Sequence, residues 1–76
     1  MNRFRRKEIG NLISQIEEIT DALENIKSDE EEYRDNIPEN LQSSVRYEKA
    51  EEAICMMEDA IDNLSDAMSN LEEAKE

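Results

Sequence analysis

Carboxylates crowd the last third of this chain. Glu51, Glu52, Glu58, Asp59, Asp62, Asp66, Glu72 and Glu73 return every two turns of a helix, about 10 Å apart. Carboxylates are abundant enough to raise the question of a metal site or an enzyme. A carboxylate-bridged metal pair in a helical bundle asks for Glu-x-x-His on two helices, and this chain has no histidine. The single glycine, Gly10, excludes a glycine-rich phosphate loop, and no Asp-x-Asp-x-Asp-Gly run offers a calcium loop. The expectation is therefore no enzyme, no catalytic residue, no metal and no cofactor. Rows of carboxylates on a rigid rod can instead imitate the phosphate rows of DNA and occupy a basic groove. Glu51, Glu52, Glu58, Asp59, Asp62 and Asp66 are the residues expected to meet such a partner. The competing reading is a solvated coat.

The whole composition favours a basic partner. The 76 residues carry a net charge of −12, and Arg3, Arg5, Arg6 and Lys7 place a basic tip on an otherwise acidic body. Such a body repels nucleic acid and anionic membranes, so direct binding to either is not expected. The cluster RFRRK lacks the rest of a basic face, and it also lies where it can offset an acidic C-terminal end. No run of 7 to 15 apolar residues follows it, as a secretory signal would need. No stretch reaches the 18 apolar residues of a spanning helix. Cys55 has no second cysteine to pair with, which fits a reducing cytoplasm.

The elements that position these groups are two heptad arrays. Apolar residues fall at Ile9, Leu12, Ile16, Ile19, Leu23 and Ile26, with Tyr33 on the same series after a break at Glu30. A second series runs Tyr47, Ala50, Ile54, Met57, Ile61, Leu64, Met68, Leu71. Steps alternating between three and four are those of a coiled-coil seam. Between the arrays stands Pro38, which ends or kinks any helix reaching it. The stretch PENLQ can make a short turn, with Ser43 or Ser44 as the cap of the second long helix. The chain is thus expected to be one all-α domain over 1–76, an antiparallel helical hairpin with helices over about 5–33 and 44–74 and a connection over about 34–43.

If the chain folds back near Asn40, facing residues have numbers that sum to about 80. Ile9 then faces Leu71, Leu12 faces Met68, Ile16 faces Leu64, Ile19 faces Ile61, Leu23 faces Met57, Ile26 faces Ile54 and Tyr33 faces Tyr47. At the edge, Arg6 is expected opposite Glu72 and Lys27 opposite Glu51. Each arm would be roughly 45 Å long. Beside the second seam run Ala53, Ala60, Ala67 and Ala74, small enough to admit another helix. Two hairpins are expected to pair there into a homodimeric four-helix bundle, because a chain this short buries little apolar surface alone. Met57 and Met68 belong to the seam, whereas Met56 points outward as an interface candidate. Cys55 lies near the outer surface and is given no role.

The stretch NIPENLQSSVRYEKAEEAI, followed by heptads ending in LEEA, resembles a group of small acidic helical proteins of phages and mobile elements of Gram-positive bacteria. The resemblance covers roughly residues 9–76; the basic head MNRFRRK departs from the pattern. It implies a cytoplasmic protein of a bacterial host cell and, since small phage proteins often inhibit host machinery such as restriction and CRISPR, an anti-defence inhibitor. Two alternatives stand beside this. One is an assembly module that uses the apolar and alanine stripes. The other is a sponge for an anionic signal nucleotide, held by Arg3, Arg5 and Arg6 or by Tyr33, Arg34, Arg46 and Tyr47.

Overall fold

The computed structural model describes residues 1–41 and 44–76. Helices α1 (Arg3–Asp35) and α2 (Val45–Ala74) run antiparallel, joined through a 3-10 turn at Glu39–Leu41. Among the described residues there is no strand. The fold is the expected all-α hairpin, a rod of 59 × 15 × 12 Å.

Local chemistry sets the ends of each helix. Asn2 caps α1, its side-chain oxygen accepting from the Arg5 N–H at 2.8 Å. The cap matters because the first turn holds no acid and carries cations that oppose the helix dipole. At the other end, Pro38 disfavours helix at the residue before it. The Asn36 N–H donates to Glu32 O at 3.0 Å, and the Ile37 N–H to Arg34 O at 3.1 Å, as α1 stops. Leu41 N–H then donates to Pro38 O at 2.8 Å, and Ser44 N–H to Leu41 O at 3.0 Å. Ser44 Oγ accepts from the Tyr47 N–H at 3.3 Å and starts α2. The other proposed cap, Ser43, lies outside the described residues, as does Gln42.

α2 presents the expected row. Ala50 and Ile54 are buried, while Tyr47, Met57, Ile61, Leu64, Met68 and Leu71 are half-buried. α1 does not. Ile9, Ile16 and Leu23 face α2 as expected, but Leu12 is 50%, Ile19 55%, Ile26 57% and Tyr33 43% exposed. Ile13 is buried instead, and Thr20, Lys27 and Arg34 continue its row. α1 is thereby turned by about 50°, half of one residue's step around a helix.

The polar members of that row explain how it can face inward. Thr20 Oγ1 donates to Ile16 O at 2.8 Å, within its own helix. Lys27 and Arg34 lay their stems against the seam and carry their charges out to Glu58 at 3.7 Å and Glu51 at 3.3 Å. These contacts also correct the expected edge. Lys27 meets Glu58, and Glu51 is met by Arg34. Arg6 does share a groove with Glu72, as expected, and the Glu72 carboxylate pairs with Lys75 at 3.4 Å. Tyr33, expected to pair with Tyr47 in the seam, is 43% exposed, and its hydroxyl accepts from Arg46 Nε at 3.0 Å. Burying a Leu or Ile side chain fully is worth about 1.5–3 kcal/mol, so each half-exposed member of the outer row forgoes about 1 kcal/mol in a single hairpin.

Candidate functional site

The register divides the rod into surfaces of different chemistry. On one side of the seam, Lys27 and Arg34 pair with Glu58 and Glu51. On the other side, Arg46 and Tyr33 come together, with the guanidinium 5.6 Å from the ring centroid. Because Arg46 shares a heptad row with Ala53, Ala60, Ala67 and Ala74, and Tyr33 shares one with Leu12, Ile19 and Ile26, those two rows run side by side. Ala53, Ala60 and Ala67 are half-buried and Ala74 is exposed. The alanine row thus borders an apolar row that belongs to α1, which the heptad pattern assigns to the seam.

The acidic residues of α2 lie elsewhere. Glu52, Asp59, Asp66 and Glu73 repeat at intervals of seven along the back of the helix, with steps of about 10 Å. Asp62 lies between that back row and the edge, and all of these side chains are exposed. The six residues expected to meet a basic partner therefore fall into two sets. Glu51 and Glu58 are engaged by Arg34 and Lys27 at the edge. Glu52, Asp59, Asp62 and Asp66 make no ion pair within the chain among the described residues. No cluster of three or more metal-ligating side chains occurs among the described residues.

The basic residues do not form one site. Arg3 and Arg6 line an open groove with Glu72 and Lys75 at the end where the termini lie. At the opposite end, Tyr33, Asn36, Ile37, Pro38, Leu41, Ser44 and Arg46 line a half-open hollow of about 330 Å³. Arg34 is outside it, bound to Asp35 at 3.1 Å as well as to Glu51, and the Asp35 carboxylate raises its pKa further above the ordinary arginine value. Tyr47 is half-buried and does not line the hollow. The alternative ligand residues thus separate into two groups at the ends of a 59 Å rod.

Ile37 is a residue the heptad pattern did not single out. It is 7% exposed and seals the turn end of the seam. Its signal was present, because it follows Glu30 by seven and so continues the row of Ile9, Ile16 and Leu23. Cys55 and Met56 are exposed, as their positions imply. No helix among the described residues is long and apolar enough to cross a membrane.

Fold and surfaces together define an antiparallel α-helical hairpin with an apolar side and an acidic back. No protein-family model matches the chain, and no curated protein or solved structure is significantly similar to it.

Proposed function

We propose that this hairpin is a non-enzymatic binding protein that engages a basic surface on a host protein through the acidic back of α2. Glu52, Asp59, Asp62 and Asp66 make the primary contact, with Glu51 and Glu58 at its edge. The observation that carries this reading is segregation. The first four are exposed and bound to no cation of their own chain among the described residues, whereas the apolar side of α2 holds alanine and no carboxylate. Carboxylates repeating on a straight rod suit a groove built for phosphates, so a protein that handles nucleic acid is the partner class that fits. In the phage or mobile-element setting that the resemblance implies, occupying that groove inhibits an anti-phage defence protein of the bacterial cytoplasm.

The test is capture from a nuclease-treated Gram-positive lysate on immobilised hairpin, with elution in rising salt. A retained nucleic-acid-handling protein, released by salt and lost when Glu52, Asp59, Asp62 and Asp66 become Gln or Asn, is the expected result. Equal retention by that variant overturns the reading.

The hollow at the turn favours a second reading, in which Arg46 and Tyr33 hold a small anion with an aromatic part. A ligand that binds only the folded chain raises its melting temperature. A panel of cyclic nucleotides that leaves the melting temperature unchanged removes this reading.

A further inference from the structure

The open side of the hairpin is a ladder whose rungs are set by the register. Counted by sevens from the Tyr33–Arg46 contact, which closes the ladder at the turn end, Ile26 falls beside Ala53, Ile19 beside Ala60 and Leu12 beside Ala67. Outside the ladder run two more exposed rows at the same spacing. α1 contributes Glu8, Gln15, Ala22 and Asp29, and α2 contributes Asn70, Asn63, Met56 and Lys49.

We propose that a second copy of this chain covers this side, with both turns at the same end, so that α1 of each copy lies on α2 of the other. Three relationships select this occupant and this orientation. The first is size. The arrangement seats each Leu or Ile of one copy over an alanine of the other, a large side chain against a small one in every layer. With the turns at opposite ends, α1 would lie on α1 and α2 on α2, crowding the branched rows and leaving a gap between the alanines.

The second is the outer rows, which match level by level when α1 lies on the other copy's α2. Asp29 meets Lys49, Ala22 meets Met56, Gln15 meets Asn63 and Glu8 meets Asn70. The match accounts for Met56, which is 63% exposed in one hairpin. It also gives partners to Asp29 and Lys49, which form no ion pair within the chain among the described residues. The opposite orientation would set Glu8 against Asp29 twice.

The third is extent. From Arg5 to Tyr33 the side is about 40 Å long by helix rise. Across two helices that makes on the order of 600 Å² before side chains interdigitate, close to the ~800 Å² per partner of a stable specific interface. A basic partner would find Glu8 and Asp29 of α1 here, whereas the carboxylates of α2 described above lie at its back and edge. The inference is independent of the acidic-face reading, because it uses the other side of the rod.

The test combines mass, distance and charge exchange on the full chain. Sedimentation equilibrium at tens of micromolar should give twice the 8.9 kDa of the chain. Ile19→Glu with Ile26→Glu should give a monomer that keeps its helical circular dichroism. Spin labels at Asn36→Cys, on a Cys55→Ser background, should lie side by side across the bundle, at a separation well short of the 59 Å molecular length. Asp29→Lys should weaken the dimer by ~3- to 10-fold, since two exposed pairs are lost, and adding Lys49→Asp should restore it. A monomer at those concentrations, labels separated by nearly the molecular length, or a double exchange that fails to restore the dimer overturns the proposal. The label measurement leaves the apolar side intact, so it decides the matter even if the glutamate variant does not fold.

Discussion

Arg46 Nε donates to the Tyr33 hydroxyl at 3.0 Å, across the turn and 13 residues back along the chain. The bond joins the exposed row of α1 to the alanine row of α2 and so identifies which side of each helix is open. Together with Lys27–Glu58 and Arg34–Glu51 on the opposite edge, it sets the rotation of α1 about its axis. That rotation separates two adjacent residues, Leu12, which the heptad series places in the core, and Ile13, which that series passes over.

Ile13 is 5% exposed and Leu12 is 50% exposed. Truncating a buried Ile leaves a cavity and typically costs 2–5 kcal/mol, whereas a half-exposed Leu has less to lose. Ile13→Ala is therefore expected to destabilise by about 2–4 kcal/mol. Leu12→Ala is expected to cost no more than about 1 kcal/mol in urea unfolding at low protein concentration, where copies are apart. The reverse order would return Leu12 to the seam.

Much of this fold is legible in the residues. Pro38, the Ser44 cap and the unbroken series from Tyr47 to Leu71 give the break, the second helix and its inward face. The inward face of α1 was not legible, because apolar type alone ranks Leu12, Ile19 and Ile26 above Thr20, Lys27 and Arg34. What reverses that ranking is the length of lysine and arginine, whose stems cover apolar surface while their charges reach carboxylates on α2. A periodicity count sees a cation as outward and cannot register this. The acidic back was readable from spacing, but its division into Glu51 and Glu58, held at the edge, and the free back row depends on which cations turn inward.

The same argument makes Lys27 a packing residue. Its side chain is 25% exposed, and its ion pair with Glu58 spans 3.7 Å, so most of its contribution lies in the stem. Lys27→Met should leave stability within about 0.5 kcal/mol of the parent, while Lys27→Ala should lose about 1 kcal/mol. Equal losses in chemical denaturation would assign the contribution to the charge instead.

Ser44 holds the start of α2 through one side-chain bond, 3.3 Å from the Tyr47 N–H. Removing such a cap typically costs about 1 kcal/mol, and Asp can replace it. Ser44→Ala should therefore lower stability by about that amount and Ser44→Asp should not, which thermal unfolding would read directly.

Gly10 lies inside α1, and a Cβ built there meets no atom within 4 Å. Glycine in a helix interior costs about 0.5–1 kcal/mol relative to alanine through backbone entropy. Gly10→Ala should stabilise by that amount, raising the melting temperature by about 2–8 °C in a chain of this size. A decrease would mean that the groove beside it, lined by Arg3 and Arg6, closes on that position in solution.

Asp62 tests whether the acidic back is selected for contact or for hydration. It stands four residues from both Glu58 and Asp66 on α2, and each such like-charge pair destabilises a helix by about 0.2–0.5 kcal/mol. Asp62→Asn relieves both, so it should stabilise the hairpin by about 0.5–1 kcal/mol at low ionic strength and by less in high salt, where the repulsion is screened. A carboxylate that weakens the fold while strengthening attachment to a basic partner is the signature of a binding face. If Asp62→Asn raises the melting temperature and leaves partner capture unchanged, hydration is the role that remains for Asp62.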